Sequence, residues 1–197
     1  MRTILLIEHK LDLVMQHEDG RVGLFGRKPG ADVLRPLSPD DQAEFLALAG
    51  DWDVARMTSD IPHPLLASQA VAWLEPNDSD VRFAMQHAGR MIGSVGYFRR
   101  RSGAAELGFW LGRPYWGRGF ATEAARAVVR QGFTSGGHKR FSSAHFIDNP
   151  ASARVLAKLG FEPTGRARMW CSARGVEVEA VTLSLDRERA EGFVGPL

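Results

Sequence analysis

The stretch RPYWGRGFATEAARAVVR, residues 113–130, changes abruptly from aromatic and glycine-rich sequence to a run of helix formers. Gly117 and Gly119 lack side chains where a predicted strand over 105–112 gives way to a helix, so the backbone can approach a ligand closely. The first turn of a helix has unpaired N–H groups and a partial positive charge. The junction therefore predicts a site for an anion such as a phosphate, with an ordinary glycine turn as the alternative. Five apolar residues form one face of the helix: Ala121, Ala124, Ala125, Val128 and Val129.

Two better-known glycine motifs for phosphate groups do not fit this junction. A dinucleotide fingerprint needs a third glycine where Thr122 stands, and an acidic residue about twenty positions later, where Phe141 and its neighbours offer none. A P-loop ends in Gly-Lys-Ser/Thr, which is absent. The anion site must therefore belong to another class of protein.

The composition favours one soluble domain. The chain has 197 residues, 44% of them hydrophobic, which is enough for a sizeable core. A net charge of +2 is too small for a dedicated nucleic-acid binder. The single cysteine, Cys171, excludes an internal disulfide and a multi-cysteine zinc site, and MRTILLIEHK has too few apolar residues for a signal peptide or a membrane span. We therefore expect a cytoplasmic protein that binds no nucleic acid, membrane or metal.

Periodicity predicts an α/β domain with a mixed sheet over residues 31–186. A first helix starts at Ser38-Pro39-Asp40-Asp41 and ends at Gly50, and a second ends near Trp73-Leu74. Further helices follow Gly119 and Asn149. Strands are predicted over 31–37, 81–86, 91–99, 105–112, 139–148, 166–173 and 176–185.

The two ends of the chain lie outside this domain. Residues 1–30 predict a β-hairpin with its turn at Asp19-Gly20, which is either extra sheet packed on the core or an arm of a homodimer. Residues 187–197 are left as a C-terminal tail.

A second junction between a strand and a helix covers residues 148–161. Asn149 is placed as the N-cap, Pro150 as the first helical residue and Gly160 as the C-terminal stop. Taken alone, this pattern indicates only a well-capped helix.

Four segments together resemble the GCN5-related N-acetyltransferase (GNAT) superfamily, and within it the branch of bacterial ribosomal-protein N-terminal acetyltransferases. They are Ile61-Pro62-His63-Pro64, residues 106–111 (ELGFWL), residues 115–124 (YWGRGFATEA), and Asn149-Pro150-Ala151-Ser152 running to Leu159-Gly160-Phe161. The match covers about residues 31–186, and the shared order and spacing are specific where each segment alone is weak. Trp116 departs from the general superfamily pattern and looks like the ribosomal branch.

The resemblance implies a mostly antiparallel sheet with helices on both faces, which splits to admit the pantetheine arm of acetyl-CoA. Ser152 would lie near the cofactor sulfur and donate a proton to the departing thiolate. Arg154 and Lys158 are candidates for the CoA phosphates, with solvated helix charges as the alternative. The positions implied to bind the cofactor are Trp110, Leu111, Gly117, Arg118, Gly119, Phe120, Ala121, Thr122, Asn149 and Ser152.

Glu106 is the candidate general base, because the family often uses a glutamate on this strand. A surface carboxylate is the alternative interpretation. His63 and His87 are second candidates, and structural histidines are the alternative for both. A covalent mechanism through Cys171 is disfavoured, because no histidine is near it in sequence.

The sequence does not identify the acceptor. Trp52, Trp73 and Trp110 either line an acceptor pocket or belong to the core. We expect an acetyl-CoA-dependent N-acetyltransferase that acts by direct transfer on a primary amine, either a peptide or a small molecule. The alternative is a non-catalytic acyl-CoA-binding or assembly module of the same fold.

Overall fold

The computed structural model describes residues 22–23, 32–76, 80–99, 104–195 and 197. The strands are β1 (Val22–Gly23), β2 (Asp32–Pro36), β3 (Asp80–His87), β4 (Arg90–Arg99), β5 (Ala105–Leu111), β6 (Arg140–Phe146), β7 (Glu162–Cys171) and β8 (Val176–Asp186). The helices are α1 (Gln42–Ala49), α2 (Trp52–Ala55), α3 (Ala67–Leu74), α4 (Phe120–Thr134), α5 (Pro150–Lys158) and α6 (Arg187–Val194).

All the described strands form one sheet in the order β1-β2-β3-β4-β5-β6-β8-β7. Neighbouring strands are antiparallel except β5 and β6, which are parallel. The predicted mixed, mostly antiparallel sheet is therefore confirmed. The predicted hairpin of β3 and β4 turns at Ala88 and Gly89, whose φ angles of 49° and 83° are both positive, as a tight two-residue turn requires.

Helices cover both faces of the sheet, as the resemblance implies. On one face, α4 packs on β4 and β5, and its apolar side joins a core that includes Tyr97, Leu107 and Phe141. On the other face, α1, α2 and α3 cover a second core, in which Phe45 and Trp110 are buried. We call these the α4 face and the α1 face.

The start of α1 shows why the sequence forms a helix there. Ser38 caps a 3₁₀ turn over Pro39–Asp41, and its backbone N–H donates to the Asp41 carboxylate at 2.9 Å. Asp41 is 4% exposed and pairs with Arg35 on β2, whose Nη1 lies 2.8 Å from Oδ2. This hydrogen bond raises the pKa of Arg35 above its usual value, despite the opposing effect of burial. The ion pair fixes α1 to the sheet.

The two ends of the chain differ in what can be said of them. The hairpin predicted within residues 1–30 lies outside the described residues except for β1, which pairs with β2. Residues 187–197, left as a tail in the sequence analysis, contain helix α6, which buries Ala190 and Val194. The short helix α2 also has no counterpart among the predicted elements.

Candidate active site

The sheet splits between β5 and β6. These strands pair only at Ala105 with Phe141 and at Glu106 with Ser142. The Ser143 hydroxyl then donates to the Leu107 carbonyl at 3.0 Å. Beyond this point β5 continues to residue 111 and β6 to residue 146, but the two strands do not pair with each other. The split leaves an opening, one edge of which is strand backbone without a strand partner.

The junction of β5 and α4 lies at the open end of the split. Gly117 and Gly119 have φ angles of 74° and 87°, the left-handed region that favours glycine. A Cβ atom at either position would meet nothing within 4 Å, so the space above both is open. Gly119 is the N-cap of α4, and no side chain caps the helix. The predicted anion cradle is therefore formed by backbone and open on its outer side.

The side chains predicted at this junction differ in their placement. Arg118 is exposed, with Cζ 4.8 Å from the centre of the Phe120 ring and Nη2 3.4 Å from His87 Nε2. The Phe120 ring itself is buried in the core. Ala121 and Thr122 are half-buried in the first turn of α4. Only Arg118 among these residues therefore presents a charge to the cradle.

Trp116, the aromatic residue before the two glycines, anchors their loop through its side chain. Its Nε1 donates to the Leu111 carbonyl at 2.6 Å and ties the loop to the end of β5. A cofactor contact at Leu111 would therefore use other atoms than that carbonyl oxygen. The indole of Trp110 packs against Phe45 in the core of the α1 face, so a cofactor role for Trp110 rests on its backbone.

The junction of β6 and α5 is closed by its own side chain. Asn149 is 7% exposed, and its Oδ1 accepts a hydrogen bond from Ser152 N at 3.0 Å. Ser152 lies on the side of α5 that carries the buried Leu156 and therefore points toward the core of the α4 face. Its hydroxyl has no hydrogen-bond partner among the described residues.

Glu106 lies on the opposite face. Alternation along β5 puts Glu106 on the same side as Trp110, which is buried under the α1 face. Its partner on β4 is Phe98, and Phe98 in turn pairs with Asp80 on β3. Glu106 and Ser152 thus lie on opposite faces of the sheet, on the two strand–helix units that flank the split.

A cavity of about 590 Å³ lies on the α1 face, and one residue of its lining, Phe98, pairs with Glu106 across strands β4 and β5. Its walls include Asp60, Trp73, Asp80, Arg82 and Phe98. Burial lowers the pKa of Arg82 from its usual value, and the charge of Asp80 opposes this effect.

Nothing in the sequence predicted this cavity. The alternation of β3 places Asp80 and Arg82 on one face, but the cavity also needs the end of α3 and the loop at Asp60, which local pattern does not bring together.

The remaining candidate side chains, those of His63, His87 and Cys171, contact other parts of the protein. His63 Nδ1 lies 3.0 Å from the Gly50 carbonyl, and its ring packs on Trp52. His87 ends β3, at the opposite end of the strands from Glu106. Cys171 is buried, and its Sγ lies 3.3 Å from the Thr58 carbonyl. These contacts do not place any of the three side chains beside Glu106.

None of the helices in the described part of the chain is both long and apolar enough to cross a membrane. Within the same part of the chain, no three His, Cys, Asp or Glu side chains are grouped so that they could hold a metal ion.

Comparison with known families matches this chain to one class of enzyme, the acetyltransferases. The acetyltransferase (GNAT) domain matches residues 33–162, well over half of the chain. The chain therefore belongs to the GNAT family, and it is an N-acetyltransferase. The predicted resemblance is confirmed.

Individual relatives agree with this assignment. The uncharacterized N-acetyltransferase YoaA of Bacillus subtilis is 26% identical over 166 residues, which are 80% of this chain and 94% of YoaA. The ribosomal-protein-S5-alanine acetyltransferase from Vibrio fischeri shares the fold with a TM-score of 0.69 at 20% identity, covering 83% of this chain and 97% of that one. Spermidine N-acetyltransferase from Vibrio cholerae, solved in complex with CoA and spermine, also shares the fold. Its TM-score is 0.70 at 16% identity, and the match covers 81% of this chain and 98% of that one.

Proposed function

We propose that this chain transfers an acetyl group from acetyl-CoA directly to a primary amine while both are bound. One observation carries the proposal: the sheet splits between β5 and β6, with Glu106 on one face of the sheet and Ser152 on the other, and an open glycine cradle lies at the open end of the split. This arrangement gives the cofactor and the acceptor separate approaches to one point. A direct reaction requires such a meeting point, because no covalent intermediate carries the acetyl group.

The residues present fit acetyl-CoA. The backbone of residues 117–121 would hold the pyrophosphate, because its glycines leave open space in front of an uncapped helix. The unpaired backbone of β5 beyond Leu107 would bond the amides of the pantetheine arm. Acetyl-CoA supplies an activated thioester whose carbonyl carbon accepts the amine.

The chain supplies proton transfer on both sides of the split. The Glu106 carboxylate accepts the proton that the amine loses as its nitrogen bonds to the carbonyl carbon, directly or through water. The Ser152 hydroxyl donates a proton to the sulfur as the carbon–sulfur bond breaks. Charges and protons balance once solvent returns a proton to Ser152 and removes one from Glu106.

The acceptor class decides how much the base contributes. At pH 7, removing a proton costs about 4.6 kcal/mol for an amine with a pKa of about 10.4, and about 1.1 kcal/mol for an α-amino group with a pKa of about 7.8. The two neighbours named above, a ribosomal-protein acetyltransferase and a spermidine acetyltransferase, span these two classes. We propose a primary amine of a peptide or a small molecule, and the pH dependence distinguishes the two.

The test begins with calorimetric titration of acetyl-CoA, followed by thiol release in the same sample with a panel of amines and N-terminal peptides. We expect a Kd of about 1 μM, or −8.2 kcal/mol, and release of thiol only with an acceptor. Binding without release under any acceptor would contradict transfer. No binding at millimolar acetyl-CoA would contradict the whole cofactor assignment.

Glu106→Gln tests the base. We expect kcat/KM to fall about 100-fold near pH 7 for an alkyl amine, and the defect to shrink as the pH rises toward the pKa of that amine. The measurement is kcat/KM from pH 6 to 10. Glu177→Gln, which makes the same change on the exposed β7–β8 hairpin, is the control. An equal defect at every pH would remove Glu106 from the proton transfer.

A further inference from the structure

The two parts of the split sheet need a connection on the α1 face. Strands β1–β5 and strands β6–β8 share only two residue pairs, at Ala105 and Glu106 of β5. The turn between β7 and β8, residues 172–175, crosses to the other part and contacts the segment after α2. Ala173 in this turn packs against both the core of the α1 face and the smaller core around Phe146.

Arg174 makes most of the polar contacts of this turn. Its Nε donates to the Arg56 carbonyl at 2.8 Å, and its Nη1 lies 2.8 Å from Oδ2 of Asp148. Its Nη2 lies 3.5 Å from the sulfur of Met57, and its Cζ lies 5.3 Å from the centre of the Phe146 ring. The Arg174 side chain is 18% exposed and that of Asp148 is 44% exposed, so the guanidinium is largely buried while its ion pair with Asp148 is partly open to water.

Two neighbouring contacts hold the same segment. Ser172 N donates to the Ser59 carbonyl at 2.9 Å, and the Cys171 sulfur lies 3.3 Å from the Thr58 carbonyl. Residues 56–59 are therefore bound to the β7–β8 turn along their length. Asp60 follows directly and forms part of the wall of the cavity on the α1 face.

The other partner of Arg174 lies at the opposite side of the split. Asp148 directly precedes Asn149, whose side chain accepts from the Ser152 backbone N–H. Asp148 is therefore adjacent in the chain to the cap that bonds the Ser152 N–H. Arg174 is thus bound at once to the segment that leads to the cavity wall at Asp60 and to the residue before the Asn149 cap.

We propose that Arg174 is a positioning residue for acetyl transfer, which holds residues 56–59, the segment leading to the cavity wall at Asp60, and the start of α5 at a fixed separation. This inference rests on the proposed function. An arginine suits the role because one planar guanidinium donates to a carbonyl and a carboxylate in different directions. A lysine in its place would keep the charge next to Asp148 but could not hold the same fork of contacts.

The test compares Arg174→Ala and Arg174→Lys with Arg168→Ala. Arg168 lies on the same hairpin and pairs with Glu177 on its exposed surface, so it is the matched control. We expect Arg174→Ala to lower kcat about tenfold and to raise the acceptor KM about threefold, since small misplacements of reacting groups are costly. The kcat and acceptor KM of Arg174→Lys should fall between those of Arg174→Ala and the wild type. Those of Arg168→Ala should match the wild type.

The Kd of acetyl-CoA and its binding stoichiometry separate positioning from general damage. Both should stay within twofold of the wild type, because the glycine cradle makes no contact with Arg174 among the described residues. A loss of activity that only follows a reduced binding stoichiometry would mean that part of the sample is misfolded, and it would overturn the proposal. Unchanged kcat and KM in Arg174→Ala would also overturn it.

Hydrogen exchange gives a readout that does not depend on activity. In Arg174→Ala, the amides of Ser172 and Ser152 should exchange at least tenfold faster, while Val129 inside α4 stays protected. Unchanged exchange at both serines would overturn the connection itself. If the wild type binds acetyl-CoA but acetylates nothing, the proposed function fails and the catalytic role fails with it, whatever the exchange shows.

Discussion

Helices α4 and α5 both start beside the split, and they start in opposite ways. Gly119 begins α4 with a left-handed φ of 87° and no side chain to cap the first turn. Asn149 begins α5, and its side-chain amide oxygen accepts a hydrogen bond from the Ser152 N–H. Pro150 follows as the first helical residue. The first start has no side-chain cap for its N–H groups, whereas in the second the Asn149 side chain accepts a hydrogen bond from the Ser152 N–H.

This difference has a cost that the fold offsets elsewhere. A side-chain cap contributes about 1 kcal/mol to a helix, and α4 forgoes it. Helix α4 has 15 residues and buries seven of them, whereas α5 has nine and buries Leu156 alone. The long apolar face of α4 therefore stabilises a start that is open for a ligand, while the shorter α5 depends more on its cap.

The largest expected effect is at the open start. Gly119→Glu should weaken acetyl-CoA binding at least 1000-fold, about 4 kcal/mol, because it places a carboxylate where the pyrophosphate would lie. The left-handed φ adds a strain of about 1–2 kcal/mol for any L residue. Gly119→Ala carries this strain without the charge and is the control, measured by calorimetry and thermal unfolding. An equal loss of affinity in the two variants would mean that strain, and not charge, is responsible.

The second effect concerns the residue positioned by the closed start. Ser152→Ala should lower kcat about 100-fold, about 2.7 kcal/mol, and leave the Kd of acetyl-CoA nearly unchanged, as expected on loss of a proton donor. Stability should change by less than about 0.5 kcal/mol, because the hydroxyl has no partner among the described residues. Steady-state kinetics at saturating cofactor make the measurement, with Ser68→Ala on the exposed side of α3 as control. A rate equal to that of the wild type would exclude Ser152 as the donor.

The third effect is on folding. Asn149→Ala should lower the free energy of unfolding by about 1 kcal/mol, because the Ser152 N–H loses its acceptor. Asn149→Asp keeps an acceptor oxygen and should retain most of the stability. Urea unfolding of the two variants beside Gly119→Ala compares the two helix starts directly. The comparison fails if Asn149→Ala is as stable as the wild type.

Both helix starts could be read from the sequence because the determining residues are local. Glycines followed by helix formers gave the start of α4, and Asn149-Pro150 gave that of α5. Helix α6 was not predicted, since its eight residues include Gly192 and bury only Ala190 and Val194, too few for a clear periodic signal.

The contacts that complete the site are non-local. Arg174 meets Arg56, 118 positions away, and Cys171 meets Thr58, 113 positions away. Strand alternation could place Glu106 and Trp110 on one face, but which face carries α1 depends on the whole topology. The cavity at Asp60 needs four parts of the chain, the loop at Asp60, the end of α3, β3 and β4, and no local pattern predicts such a meeting.

The smallest effect should come from the one charged side chain of the cradle. Arg118 is exposed, so Arg118→Ala should weaken acetyl-CoA binding only about twofold to threefold at 0.15 M salt, where charges are screened over about 8 Å. At 0.01 M salt the screening length grows to about 30 Å and the defect should increase, and at 1 M it should disappear. Arg113→Ala is the matched control, because Asp53 lies 3.2 Å from Arg113 and already compensates its charge. A defect that is independent of salt would mean that Arg118 acts through its contacts with Phe120 and His87, and a defect as large as that of Gly119→Glu would mean that side-chain charge, not the open backbone, forms the cradle.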